Sequence, residues 1–412
     1  MDTATSPTEP DAGDNRGLAA LFDALESIRA DREELYKWFH RHPEVAMEEH
    51  ETSTRIAQEL EALGLAPLHV GGTGVVAVVE NPENPDGGPV LVRADFDGLP
   101  VPEDSGKYYA ADPARGRSHA CGHDVHATAL LGAVRALVEH PEAWHGRMVA
   151  VFQPGEERAA GARAMVEDGL AERIPDVEVA LAQHVLTTLP GGAVGAAAGP
   201  VLSTATTVTV TVPGSGSHGS MPHLAKDPVV TACAAVTRLQ TIVSRELAPG
   251  TFAVVTVGSV QAGDSANVIP DHATLKLNTR AYDADVARHL HEAIERIVRG
   301  ECAAAGMPGE PTFEYSDAYP LTDNDAQTAA TVQEAFSAHL PTVEFDPATA
   351  SEDFSVIPDA LGVPYCYWGL GGFAEPEKAP ANHNPGFAPD LQPTLDRGSQ
   401  AILVAASPWL LS

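Results

Sequence analysis

Leu18, Leu21, Phe22, Leu25 and Ile28 recur three and four residues apart, and Leu35, Trp38 and Phe39 carry an apolar face on to Pro43. That spacing predicts a helical start to the chain. A second helix is predicted over about Glu51 to Leu63, stopped by Gly64. The period then changes. Val75 to Val79 and Val90 to Val92 are short unbroken apolar runs bounded by Gly, Pro and Asn, the pattern of strands buried on both faces. Thr128 to Glu139 reads as helix, Met148 to Phe152 as strand, Ala160 to Glu167 as helix and Val177 to Ala182 as strand. Strands alternating with helices predict an α/β fold with a mostly parallel sheet flanked by helices.

The texture shifts at about Val201. Thr206 to Val212 alternates as a strand, Asp227 to Leu247 reads as a helix opened by Pro228, and Phe252 to Val260 and Ala273 to Ala281 read as strands. Val286 to Cys302 is a predicted helix and Thr312 to Tyr315 a predicted strand. This order is that of a split βαβ, ferredoxin-like α+β domain inserted into the first. Helix Ala326 to Ala338, a Gly369-Leu370-Gly371-Gly372 loop and a closing helix from about Leu395 to Ala405 then resume the first domain. The expected division is a disordered tail at 1–16, a first domain at 17–200 and 321–412, and the insert at 201–320. Gly214-Ser215-Gly216-Ser217-His218-Gly219 has the glycine spacing of a dinucleotide loop, but Pro222 and Pro228 keep a helix from opening there. The dinucleotide reading is rejected, leaving a flexible loop that presents His218 and His223.

Composition narrows the function. At 412 residues the chain suits about two domains. Its 25 Lys plus Arg against 57 Asp plus Glu give a net charge of −32. Such a field repels phosphate backbones and anionic lipid, so neither nucleic acid nor a membrane surface is an expected partner. The chain has no apolar run long enough to span a bilayer, no basic-then-apolar leader at Met1 to Arg16, and four Cys without a disulfide spacing. A reducing, cytoplasmic location is expected.

The chemistry gathers in Ser118-His119-Ala120-Cys121-Gly122-His123-Asp124-Val125-His126. Three His, one Cys and one Asp this close suit a divalent transition metal, and His119, Cys121 and His123 would share one side of an extended segment. Asp95, Glu156, Glu157 and His184 follow the predicted strands, where ligands sit in open α/β sheets. Adjacent Glu156 and Glu157 cannot point the same way from an extended segment, so one can hold metal while the other faces water. His383 is an ordinary loop His by itself, raised in interest by a site still short of an imidazole.

Together these blocks resemble the metal-dependent N-acyl-amino-acid amidohydrolases, with hippurate hydrolase, auxin-conjugate hydrolase and aminoacylase-like enzymes, and more distantly the dinuclear zinc carboxypeptidases. The resemblance rests on Arg93 to Asp97, His119 to Asp124, Phe152 to Glu157, His184-Val185, His218 to His223, Asn267 to Pro270, Ser351 to Phe354 and the His383 loop. It implies two divalent ions, zinc first and manganese, cobalt or nickel after it, held by Cys121, His123, Glu157, His184 and His383, with Cys121 in the bridging position. Glu156 is implied as general base and Asp95 as an orienting group beyond the ligands. His218 is implied to polarise the scissile carbonyl from a neighbouring subunit of a homodimer or larger homo-oligomer. Asn267, Arg280 and Gly371 are implied to hold a small N-acyl amino acid. Rival readings are a dinuclear dipeptidase or carboxypeptidase, a cysteine-nucleophile hydrolase using Cys121, and a non-catalytic metal protein.

Overall fold

The computed structural model describes residues 14–411. Of the expected disordered tail, residues 1–13 lie outside the described residues, while Asp14 to Arg16 already belong to the first helix, Asp14–Ser27. The chain divides into two compact units. One holds the chain up to Val201, then Asp323–Asp346 and the chain from Asp353 on; the other holds Leu202–Thr322 and Pro347–Glu352. The last segment clusters with the second unit because Ser203 donates its N–H to Ala350 O and Leu202 bridges Ala348.

The first unit is built on a seven-stranded sheet in the order Leu68–Val70, Gly74–Glu80, Arg147–Gln153, Pro89–Asp95, Val179–Pro190, Tyr365–Phe373, Val194–Ala196. Its four central strands pair parallel, and antiparallel strands close both edges. The unbroken apolar runs earn their place: Val75, Val76, Val79, Val90, Leu91 and Val92 are all fully buried, because helices cover both faces of a parallel sheet. Helices Asp14–Ser27, His123–Glu139 and Leu391–Leu410 join one hydrophobic core with the sheet through Leu18, Leu21, Leu130 and Val404.

The second unit is a four-stranded antiparallel sheet, Ala253–Gln261, His272–Ala281, Thr204–Pro213 and Thr312–Tyr319 in that order, with helices Pro228–Leu239 and Ala284–Ala305. This strand order, with the strand-helix-strand-strand-helix-strand succession, is the ferredoxin-like split βαβ. Val208, Val210 and Val212 point into its core with Leu275, Ile294 and Val298. The predicted helix from Asp227 to Leu247 stops at Leu239 and gives way to a wider turn at Ile242–Glu246. Thr241 Oγ1 bonds to Arg238 O at 2.7 Å and Ser244 Oγ to Gln240 O at 3.1 Å, and such side-chain bonds compete with the helical ladder.

The predicted glycine loop at 369–372 is instead the inner strand Tyr365–Phe373, paired on both sides. Gly371 shows why that stretch needs glycine. A Cβ there would lie 1.8 Å from Pro190 O, while its own N–H donates to Ala193 O at 2.8 Å and its carbonyl accepts from Gly192 N at 2.9 Å. Gly371→Ala must therefore push apart two backbones, at a cost of about 3 kcal/mol in line with overpacked interiors. A urea unfolding midpoint equal to wild type would contradict this packing.

Candidate metal centre

Asp95 closes its strand in register with Gln153, and Arg93 faces Ala182, two residues before His184. Three strands thus bring polar side chains to one level. Arg93 is buried among them: its Nη1 donates to Asp95 Oδ2 at 2.6 Å, its Nε to Gln153 Oε1 at 2.8 Å and its Nη2 to Asp353 Oδ1 at 3.3 Å. Burial alone would raise the Asp95 carboxyl, but Arg93, His123 and His126 hold it well below the usual range. The strand that begins at Val179 does not end before His184, as predicted, but runs to Pro190, because Tyr365–Phe373 pairs with it along that length.

The Cys/His stretch is not extended. Gly122 takes φ +86°, its N–H closes a turn onto His119 O, and His123 is the first residue of the helix His123–Glu139. A left-handed residue reverses the chain at that point. The turn nonetheless brings Cys121 Sγ to 3.5 Å from His184 Nε2.

Each imidazole here is oriented by a second bond. His184 Nδ1 donates to Val185 O at 2.8 Å, which leaves the Nε2 lone pair toward Cys121. His123 Nδ1 meets Asp97 Oδ1 at 3.1 Å, leaving Nε2 inward. His126, read in the sequence as one of the clustered metal-type histidines, accepts from Val185 N at 2.8 Å through Nε2 and donates through Nδ1 to Asp95 Oδ1 at 2.5 Å. A ring nitrogen tied to a carboxylate or carbonyl fixes the tautomer that a metal ligand needs.

Glu156 and Glu157 also depart from the extended reading. Glu156–Arg158 is a tight helical turn entered through Gly155 at φ +60°, so neighbouring side chains need not oppose each other as they do in a strand. Both carboxylates come to 3.9 Å from His123 Nε2. Glu157 Oε2 lies 3.4 Å from His383 Nε2, and the His383 N–H is tied to Ala120 O at 2.7 Å.

Of five donor groups among the described residues, two contain Cys121, one with His123 and His184 and one with Glu157 and His383; His123 also groups with Asp95 and His126, and Glu156 with His123 and Glu157 and with Glu352 and Asp353. Within each group the donor atoms lie within 4.8 Å of one another. His123 Nε2 and Glu157 Oε1 are buried without a hydrogen-bond partner, which buried polar atoms ordinarily avoid. Cations held at the two Cys121 groups would satisfy both atoms, and the sulfur, imidazole and carboxylate set suits a transition ion. The electrostatics agree. Burial would lower His123, yet Asp95 and Cys121 raise it well above its ordinary value. Hydrogen bonds to Cys121 and Glu157 push His383 up to about 10, while burial beside His126 holds His184 down and neutral. The field here stabilises positive charge, and a metal must displace those protons to bind.

The other candidates lie elsewhere in the chain. Gly371 belongs to the inner strand of the first unit. In the second unit, Ser217–His218 pairs antiparallel with Val268–Ile269, so His218 sits on a short ladder rather than in a loop, and Gly219 N donates to Asn267 O at 2.7 Å. Ser220 N and Ser220 Oγ both reach His218 Nδ1, at 3.2 and 2.7 Å. A backbone donor on Nδ1 leaves the proton on Nε2. Arg280 uses Nε on Asn278 Oδ1 and Nη1 on Thr349 O.

Residues 91–404 match the profile described as Peptidase family M20/M25/M40. The chain belongs to that family. The IAA-amino acid hydrolase ILR1-like 4 of Arabidopsis thaliana is 33% identical over 371 residues, 87% of this chain and 82% of that protein. The hippurate hydrolase of Campylobacter jejuni is 32% identical over 339 residues, 81% of this chain and 86% of that one. Among solved structures, the Bacillus subtilis YXEP protein, described as a dinuclear metal binding peptidase, superposes with a TM-score of 0.77 at 27% identity, covering 93% of this chain and 98% of that one. The chain is a metal-dependent amidohydrolase. Among the described residues no helix is long and apolar enough to cross a membrane.

Behind the helix that starts at His123, His40 Nδ1 lies 2.6 Å from Asp124 Oδ2 and its Nε2 3.0 Å from Glu103 Oε1, all buried. Burial would depress this imidazole, but the two carboxylates outweigh it and raise it from 6.5 to about 9. Because the folded value exceeds the unfolded one, the stabilisation is complete below pH 6.5 and is lost as pH rises through about 9. The displacement corresponds to on the order of 3 kcal/mol. Urea unfolding of wild type and His40→Gln across this window should show a falling stability in wild type that the variant largely lacks; equal slopes would contradict the charged triad.

Proposed function

We propose that the chain hydrolyses the amide bond of N-acyl amino acids, releasing a carboxylic acid and a free amino acid, at a pair of divalent ions that share Cys121. The observation that carries this reading is the convergence of two donor trios on one buried cysteine sulfur. His123 and His184 would complete the shell of one ion, Glu157 and His383 that of the other. Zinc suits the mixed sulfur, nitrogen and oxygen set, and manganese, cobalt and nickel remain compatible with it. When bound, such ions polarise a carbonyl and make a water acidic near neutral pH.

Glu156 is the general base in this reading. It comes as near to His123 Nε2 as Glu157 does, yet it stands outside both trios that contain Cys121. It takes a proton from the attacking water and returns it to the leaving amine. His218, exposed and carrying its proton on Nε2, is suited to donate a hydrogen bond to the scissile carbonyl oxygen bound in a neighbouring subunit of a homodimer. Asn267 and Arg280 are proposed to hold the substrate, Arg280 Nη2 meeting the amino-acid carboxylate. Gly371, buried with its N–H and carbonyl already bonded to Ala193 and Gly192, acts through packing rather than as a contact to substrate. Homodimerisation and a cytoplasmic setting complete the proposal; all four cysteines are free thiols, as suits a reducing compartment.

A second reading, cleavage of dipeptides or of C-terminal residues, draws on the peptidase description of the solved relative. Metal-loaded protein assayed on N-acetyl, N-benzoyl and longer N-acyl amino acids beside simple dipeptides separates the two. Release of amino acid from the acyl conjugates is expected, and cleavage of dipeptides alone would overturn the first reading. Activity that survives thorough chelation would overturn the metal centre in favour of Cys121 as nucleophile. Glu156→Gln should lower kcat roughly a hundred- to ten-thousandfold, the range for a lost general base, with metal content unchanged. Glu157→Gln should lose metal; the reverse pattern would exchange their roles.

A further inference from the structure

The turn that carries Glu156 is tied down by two carboxylates, Asp97, which also orients His123, and Glu49, which has no part in the chemistry above. Asp97 Oδ2 accepts the N–H of Glu157 at 3.0 Å. On the other side Glu49 Oε1 accepts the N–H of Gly155 at 2.9 Å. Glu156 therefore sits between two amides whose directions are fixed, and its own backbone cannot rotate without breaking one of them.

Glu49 comes from the far side of the fold's first segment, where it precedes helix His50–Ala62, and it is fully buried. The same oxygen accepts the N–H of Met47 at 2.7 Å, and its Oε2 accepts from Thr73 Oγ1 at 2.6 Å. Met47 and Gly155 are both left-handed, at φ +65° and +60°. Met47 also lies against Gly155, where a Cβ would come within 2.5 Å of its Sδ. One carboxylate thus holds the strained Met47 and the left-handed Gly155 in register.

We propose that Glu49 is a positioning residue for Glu156, setting the angle at which the base meets the water. The proposal rests on the reading of Glu156 as the base. It requires hydrogen-bond acceptors at the correct reach, not a negative charge, and this distinguishes it from a general contribution to stability. In Glu49→Gln the amide oxygen replaces Oε1 and still accepts both N–H groups, while the amide nitrogen donates to Thr73. In Glu49→Asp the carboxyl group stays but the side chain is one methylene too short.

The test compares kcat, KM and metal content for wild type, Glu49→Gln, Glu49→Asp, Glu49→Ala and Glu156→Gln on one N-acyl amino acid. Glu49→Asp and Glu49→Ala should lose about a hundredfold in kcat, as for a reacting group displaced by about 1 Å, with KM and metal content near wild type. Glu49→Gln should keep most of the wild-type kcat. If Glu49→Ala does not fold, the Gln and Asp variants decide the matter. Wild-type kcat in Glu49→Asp, or a loss in Glu49→Gln as large as in Glu49→Asp, overturns the proposal. Wild-type turnover by Glu156→Gln instead overturns the base assignment, so the two failures are told apart.

Discussion

The governing constraint on the first unit is the burial of negative charge at the carboxyl ends of its parallel strands. Asp95, Asp97, Asp124 and Glu156 are buried together, and Cys121 and Glu157 lie among them. Carboxylates out of water demand compensating positive charge. Arg93 supplies one guanidinium, shared between Asp95 and Asp353, and His40 supplies an imidazolium between Asp124 and Glu103. Neither reaches the gap between His123 Nε2 and Glu157 Oε1, which are buried and unpartnered. The donor atoms gathered around Cys121 are candidates to hold metal at that gap.

That arrangement depends on backbone more than on side chains. The parallel sheet fixes the level of Asp95, Gln153 and His184, and left-handed glycines turn the chain where a strand would carry a ligand away. Gly122 turns Cys121 and His123 into one site, and Gly155 brings Glu156 and Glu157 to the same side. The residues beyond the ligands then remove the remaining freedom: Asp97 on His123, Val185 O on His184, His126 on Val185, and Glu49 on Gly155. Such outer partners set the orientation and basicity of ligands as much as the ligands themselves do.

Much of this was legible in the sequence. Unbroken apolar runs announced buried parallel strands, the shift to alternation after Val201 announced a second kind of sheet, and the density of His and Cys around Cys121 pointed to metal. What periodicity does not reveal is local reversal. His119, Cys121 and His123 read as alternate residues of an extended segment because a single left-handed glycine leaves no mark on a hydrophobic pattern. The same holds for Glu156 and Glu157, and for Gly369 to Gly372, whose glycines read as a loop but serve close strand contact. For another reason, His40 and Glu49 leave no mark in the sequence pattern, and Asp97 and His126 stand there only as members of longer stretches. Each acts on a backbone group or ring from a distant part of the chain, and only the fold shows which carboxylate meets which amide. Asp97 did offer a signal, since it stands two residues after Asp95 at the end of a predicted strand.

The shared thiolate is the claim on which the account turns, and anomalous diffraction from crystals of the metal-loaded protein tests it most directly. Two anomalous peaks are expected, each at bonding distance from Cys121 Sγ, about 2.3 Å if the metal is zinc, one flanked by His123 and His184 and the other by Glu157 and His383. A single peak, or two peaks of which either leaves the sulfur unbound, would contradict it.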